Sequence, residues 1–192
     1  MHAILSELPE VSLSPAITVA WQLLAFALPL SPMGDSHSSK TLEIRLAKPR
    51  DGDNMARMSR RLIEAGLPWW CWTPKRVGKA IRSPDTIGII ANLDSALSGF
   101  AMMHFGDENA HLNLLAVEPA YRRRGIGRDM LDWLDESCLV AGIRRISLEV
   151  RADNTSAIRF YESLGYKSGE RIPRYYCGEE AALRMTRTIG HT

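Results

Sequence analysis

The stretch Leu114-Leu115-Ala116-Val117-Glu118-Pro119-Ala120-Tyr121-Arg122-Arg123-Arg124-Gly125-Ile126-Gly127-Arg128 constrains the fold more than any other part of the chain. It reads as a buried strand, a short turn and a glycine-containing loop that runs straight into a helix. From Ile126 onward the apolar residues Met130, Trp133, Leu134, Cys138 and Ala141 recur at helical spacing, with Arg128, Asp132, Asp135 and Glu136 off that stripe. The loop therefore lies on a helix N-terminus, where amides without an intrahelical acceptor and the helix dipole favour an anion. Gly125 and Gly127 carry no side chain to hold the backbone away from a phosphate. The pattern predicts a pyrophosphate cradle. On the loop alone, an ordinary strand-to-helix turn with a solvated basic edge fits equally well. No G-K-[ST] follows, so this is not a Walker loop, and Met130 stands where a dinucleotide fingerprint needs its third glycine.

At 192 residues the chain suits one α/β domain with a real core. A net charge of +2 gives no bulk-charge support for nucleic-acid binding, and no nucleic-acid partner is expected. The basic triplet Arg122, Arg123 and Arg124 is local and is explained by a local phosphate. Cys71, Cys138 and Cys177 are far apart in sequence with no C-x-x-C pattern, so no metal is expected and a reducing, cytoplasmic compartment is. Cys138 lies on the apolar stripe of its helix and reads as packing.

Residues 1–40 differ from the rest. The apolar run from Ala16 to Leu30 is shorter than the ~20 residues of a membrane-spanning helix, so no stable membrane insertion is expected. Glu7 and Glu10 precede it with no lysine or arginine, the wrong charge for a secretory n-region. These residues read as a mobile or non-native arm ahead of a domain at 41–190, with Met33 as a candidate functional start. A membrane-surface or partner-docking helix is the alternative.

Beyond the arm, Leu42 to Leu46 alternates as a first strand, and Asp51 to Gly66 has helical spacing ending on a glycine. Leu67 to Pro74 is an aromatic loop with Trp69, Trp70 and Trp72, and Pro74 opens a helix to about Arg82. The tryptophans fit core, lid or ligand box. Thr86 to Asn92 and Leu97 to Phe105 form a hairpin about Asp94-Ser95, followed by a third strand at His111 to Val117. A strand at 146–150 precedes a short helix capped by Asp153 or Asn154 and stopped by Gly165. Strands at about 166–171 and 182–188 flank Arg174-Tyr175-Tyr176. The order β-α-α-β-β-β-α-β-α-β-β is an α/β chain with a mixed sheet.

That order, with R-x-x-G-x-G at Arg122, Gly125 and Gly127, resembles the GNAT acyl-CoA N-acyltransferase superfamily. The segment Leu148-Glu149-Val150-Arg151-Ala152-Asp153-Asn154-Thr155-Ser156-Ala157-Ile158-Arg159-Phe160-Tyr161-Glu162-Ser163-Leu164-Gly165-Tyr166 is more specific. It resembles the L-E-V-R-x-x-N-x-x-A-I-x-x-Y-E-x-L-G-F segment of the ribosomal-protein alanine N-acetyltransferases (RimI-like), and Arg174-Tyr175-Tyr176 echoes their R-x-Y-Y. The resemblance covers about residues 42–188. It implies a mainly antiparallel sheet, splayed at its central strands and flanked by helices. Acetyl-CoA would lie in the opening, its pantetheine arm on the backbone of Leu115, Ala116 and Val117. Its pyrophosphate would sit on the amides of Arg123, Arg124, Gly125, Ile126, Gly127 and Arg128, and Asn154 and Tyr161 would reach toward the thioester.

An amine attacks a thioester only when neutral. At neutral pH deprotonation costs about 1 kcal/mol for an α-amine and more than about 4 kcal/mol for a lysine, so an α-amine needs only a modest base. Under the resemblance Glu149 is that base, directly or through water, and Tyr161 protonates the departing thiolate. By pattern alone Glu149 also reads as a surface carboxylate paired with Arg151, and Tyr161 as a packing residue beside Phe160 and Leu164. The Val117 N–H is the expected oxyanion donor. Asn154 competes as a helix N-cap. Tyr175 and Tyr176 either gate the acceptor pocket or pack at a strand edge. The family's F-P-W-S segment appears here as Leu67-Pro68-Trp69-Trp70-Cys71-Trp72-Thr73, a departure on the acceptor side that includes Trp69. The expected function is acetyl transfer to an amine, a protein N-terminus such as that of a ribosomal protein. A small amine, a lysine or a non-catalytic acetyl-CoA sensor are the alternatives.

Overall fold

The computed structural model describes residues 41–190. The expectations about an N-terminal arm, its apolar run and a start at Met33 lie outside the described residues. Strands β1 (Leu42–Leu46), β2 (Thr86–Leu93), β3 (Ala96–Phe105), β4 (Asn109–Val117), β5 (Arg145–Arg151), β6 (Lys167–Tyr176) and β7 (Glu180–Thr188) form one sheet in the order β1-β2-β3-β4-β5-β7-β6. Four α-helices accompany it among the described residues: α1 (Gly52–Leu62), α2 (Pro74–Ile81), α3 (Ile126–Val140) and α4 (Thr155–Ser163). Neighbouring strands are antiparallel except β4 and β5, which α3 joins as a crossover and which run parallel. The element order is the one expected from the sequence.

Helices on both faces explain why β2 and β3 are apolar along nearly their whole length. On one face Ile87, Ile89, Ala101 and Met103 meet Met130, Leu131 and Leu134 of α3 and Tyr161 of α4. On the other, Ile90, Phe100 and Met102 pack against Met55 and Met58 of α1 and Val77 of α2. Asp94 and Ser95 both take left-handed φ (51° and 65°), the backbone that a tight hairpin turn requires. Two boundaries differ from expectation. Helix α1 stops at Leu62 because the amides of Ile63 and Glu64 both fold back onto Ser59 O, leaving Gly66 in the turn beyond. Strand β6 runs on through Arg174-Tyr175-Tyr176, with an irregular register against β7 between Ile172 and Tyr176.

The feature that makes the site is a parting of β4 and β5. They pair only from Asn109 to Leu112 against Arg145 to Leu148. Asn113 is an extra residue in β4, since Met102 faces Leu114 while Met103 faces Leu112. This bulge flips the strand: Ala110 and Leu112 enter the α3/α4 core, and Leu114 and Ala116 enter the α1/α2 core. Beyond it β4 stays on β3 and β5 stays on β7, and a V opens between them.

Candidate active site

One wall of the V is β4. Glu118 N–H donates to Ser98 O (2.9 Å), which fixes the pairing parity of β3 and β4. Alternate residues then turn their backbone groups toward β3, and those of Leu115 and Val117 face the opening. Ala116 turns its amide and carbonyl into β3, so of the three residues expected to pair with a pantetheine arm it is the one whose backbone is engaged in the sheet. Val117 O accepts from Arg122 Nε at 3.0 Å, which leaves its N–H toward the opening.

The glycine loop follows the free end of β4, beyond Val117. Arg123 and Gly125 take left-handed φ (62° and 85°), and α3 begins at Ile126. Among the described residues, the amides of Arg123, Arg124, Gly125, Ile126 and Gly127 donate to no protein acceptor, whereas Arg128 N–H bonds Gly125 O at 2.8 Å. Five consecutive unpaired amides at a helix N-terminus suit a diphosphate. Gly127 has a second reason to be glycine: a Cβ there would meet Phe160 Cζ at 3.2 Å. The Arg124 guanidinium lies over the Tyr121 ring at 5.8 Å. The bare strand edge and the free amides fit the acyl-CoA expected from the sequence.

Glu149 stands on β5 where the strands part, its side chain only 6% exposed. Its Oε1 accepts from Arg184 Nε at 2.8 Å and its Oε2 from Tyr175 OH at 3.1 Å, while His111 Nε2 lies 3.1 Å from Oε2. Burial alone would raise this carboxyl's pKa, but the hydrogen bonds from His111, Arg184 and Tyr175 outweigh it and hold it at about 2. The expected pairing with Arg151 does not occur. Arg151 turns to Glu180 (3.2 Å) and to Ala65 O (2.6 Å), because β5 and β7 set Arg184, not Arg151, directly opposite Glu149. His111 faces Ser147 across the parallel pair and its Nδ1 lies 3.0 Å from Ser147 Oγ, so Ser147, His111 and Glu149 form one hydrogen-bonded chain. The sequence reading missed His111 and Arg184. Only strand register brings them in.

Tyr161 is buried on α4, its ring against Phe160 (5.2 Å) and Tyr166 (5.5 Å). Burial pushes its phenol well above the usual tyrosine range, so it stays protonated. Asn154 caps α4, its Oδ1 accepting from Ala157 N–H at 3.1 Å. Tyr175 and Tyr176 meet edge to face at 4.9 Å, and Tyr176 OH donates to Glu149 O at 3.0 Å. Both tyrosines thus grip Glu149, through its carboxylate and its carbonyl. The left-handed φ of Arg174 (55°) and Cys177 (54°) bracket the pair and set its position.

The aromatic loop divides. Trp72 packs against the α1/α2 core beneath Arg76 (4.3 Å), whereas Trp69 is 64% exposed and Trp70 37%. Arg60 ties the loop down through Leu67 O and Trp69 O, both at 3.1 Å, and the buried Glu64 accepts from Trp72 N–H at 2.8 Å. Cys71 and Cys177, 106 residues apart, bring their sulfurs to 4.0 Å. Sequence spacing gave no sign of this pair. Cys138 is fully buried against Met103 Sδ (3.4 Å), and burial pushes its thiol up to about 12. Among the described residues no group of three or more His, Cys, Asp or Glu could hold a metal ion, and no helix is long and apolar enough to cross a membrane.

A splayed sheet with free amides at a helix N-terminus defines the class, and comparison agrees. Residues 54–166 match the model of the acetyltransferase (GNAT) family, and the chain belongs to that family. It is an acetyl-CoA-dependent N-acyltransferase. It is similar to the ribosomal protein bS18 alanine N-acetyltransferase of Salmonella typhimurium, 36% identical over 99 residues, 50% of this chain and 67% of that one. It is 37% identical over 113 residues to the NAA20 catalytic subunit of the N-terminal acetyltransferase B complex of Arabidopsis thaliana, 56% of this chain and 65% of that one. These matches span about two thirds of the relatives' length. The crystal structure of the Escherichia coli ribosomal-protein-S18-alanine N-acetyltransferase superposes with a TM-score of 0.68 at 26% identity, covering 79% of this chain and 96% of that one.

Proposed function

We propose that this domain, residues 41–190, transfers acetyl from acetyl-CoA to the free α-amine of a protein N-terminus, a ribosomal protein's among the candidates, in the cytoplasm. The observation that carries the reading is the caged, ionised carboxylate of Glu149 at the point where β4 and β5 separate. The similarity to two N-terminal acetyltransferases supports the choice of acceptor.

Acetyl-CoA supplies an activated acetyl thioester, and every other part of the chemistry falls to the chain. Arg122, Arg123 and Arg124 add positive charge beside the free amides that run to Gly127, and Arg128 adds charge one residue on. Leu115 and Val117 offer backbone partners for an extended arm, with Ala116 between them packed into the core. The Val117 N–H is the donor for the developing oxyanion. Tyr161, held neutral by burial, is the proton donor for the departing sulfur, and Asn154 orients the start of α4 beside it. A carboxylate with a pKa of about 2 is a weak base by itself. Glu149 therefore acts first through charge, holding the amine and stabilising the positive charge that grows on nitrogen as it attacks. The proton then leaves through water, with His111 and Ser147 as the adjoining chain. Trp69, Tyr175 and Tyr176 line the side from which the acceptor enters.

A small amine or a lysine is the second reading, favoured by the exposed Trp69 and Trp70 where the family carries F-P-W-S. The test is release of free CoA from acetyl-CoA with peptides bearing a free N-terminus, a blocked N-terminus, or a blocked N-terminus and a free lysine. Turnover confined to the free N-terminus is expected. Turnover on the lysine peptide alone would overturn the α-amine assignment, and acetyl-CoA binding without any turnover would point to a sensor.

A further inference from the structure

We propose that Cys71 and Cys177 form a reversible disulfide that staples the aromatic loop to the β6–β7 hairpin across the acceptor side of the site. The two sulfurs lie 4.0 Å apart, so bonding needs them to close by about 2 Å. Cys71 is exposed and Cys177 partly so, and an oxidant reaches them from solvent. Neither lies in a helix or strand: Cys71 is in the loop 67–73, and Cys177 in the turn between β6 and β7.

The reaction needs a two-electron acceptor, and a small-molecule disulfide such as oxidised glutathione serves. One cysteine loses its proton to solvent and attacks a glutathione sulfur, forming a mixed disulfide and releasing one glutathione thiol. The second cysteine then attacks the protein-side sulfur and releases the other. Two protein thiols are oxidised and one glutathione disulfide is reduced to two thiols.

The placement gives the bond a consequence. Cys177 follows directly on Tyr175 and Tyr176, the two residues whose hydroxyls hold Glu149. Cys71 lies between the exposed Trp70 and the anchored Trp72, in the loop that Arg60 and Glu64 tie to the end of α1. A bond between them fixes the tyrosine pair to the tryptophan loop and narrows the acceptor's entry without touching the glycine loop. This effect on turnover, unlike the linkage itself, rests on the acyl-transfer reading.

The test equilibrates the full chain with oxidised glutathione and maps its peptides by mass spectrometry, beside Cys71→Ser and Cys177→Ser. The expected result is a linked pair of peptides containing Cys71 and Cys177, absent from both variants, with Cys138 still a free thiol. Separate glutathione adducts on Cys71 and Cys177 without an internal link would overturn the linkage. With the link formed, acetyl-CoA affinity should stay within about twofold while the acceptor KM rises about fivefold or more and recovers on reduction with dithiothreitol. Equal acceptor kinetics in the linked and reduced protein would overturn the gating. A reduced protein that releases no CoA with any amine would count against the acyl-transfer reading, while the peptide map still decides the linkage.

Discussion

A carboxyl group that takes up its proton only near pH 2 is ionised throughout the range in which this protein works. The pH–rate profile should then show no limb between pH 4 and 5 from Glu149, and kcat/KM should rise toward an α-amine value of about 8. Replacing Arg184 by Ala removes one of the groups that favour the anion, so the Glu149 pKa must rise. A carboxyl-carbon NMR titration of wild type and Arg184→Ala between pH 2 and 6 checks this, and equal midpoints would dissolve the cage as its cause. Glu149 and Tyr161 could be singled out from the sequence because they fall in a dense local motif. Arg184 could not, since it lies 35 residues from Glu149 and meets it only through the β5–β7 register. His111 was hidden for the same reason, its place set by the parallel β4–β5 pair.

At the scale of elements, the glycine loop and the caps carry the geometry. Asn154→Ala removes the side-chain acceptor of Ala157 N–H and should cost about 1 kcal/mol. For a domain of this size that is a fall in melting temperature of about 2–4 °C, measurable by calorimetry. Gly125→Ala asks an L-residue to hold φ 85°, a cost of about 1–2 kcal/mol, and tilts the free amides it precedes. Acetyl-CoA affinity should drop by about tenfold on isothermal titration, whereas unchanged affinity would remove the loop from the binding site. Element order was legible because each helix and hairpin carries local signals: a proline at the start of α2, Asp94-Ser95 in the hairpin turn, Asn154 before α4. The Asn113 bulge was not. An extra residue in a strand shows only when the partner strand is laid beside it, and the parting of β4 from β5 starts there.

Across the whole molecule, two ion-paired carboxylates, Asp51 in the turn after β1 and Glu149 on the interior strand β5, couple stability to acid. Asp51 accepts two bonds from Arg45 (2.7 and 3.0 Å) and one from Lys48 N–H (2.7 Å). The Arg45 guanidinium leads in holding its carboxyl below the ordinary value, and Glu149 is held at about 2. A carboxylate with a depressed folded pKa stabilises fully above its unfolded value, about 3.9 for Asp and 4.3 for Glu. That contribution is lost as pH falls through the folded value. Melting temperature should therefore decline between about pH 5 and 2, and Asp51→Asn should flatten the decline. A wild-type melting temperature flat to pH 3 would contradict both pairings. The residues of β2 and β3 feed both faces of the core, whereas in the sequence these runs read only as the two strands of a hairpin.

In the proposed mechanism one end of the V holds acetyl-CoA while Glu149, on β5, serves the amine. Single-turnover transfer from bound acetyl-CoA to a peptide with a free N-terminus, in wild type and Glu149→Gln, tests this claim. The expected result is a rate lower by about 100-fold or more in the variant, with acetyl-CoA affinity unchanged. Equal rates in the two proteins would contradict the claim.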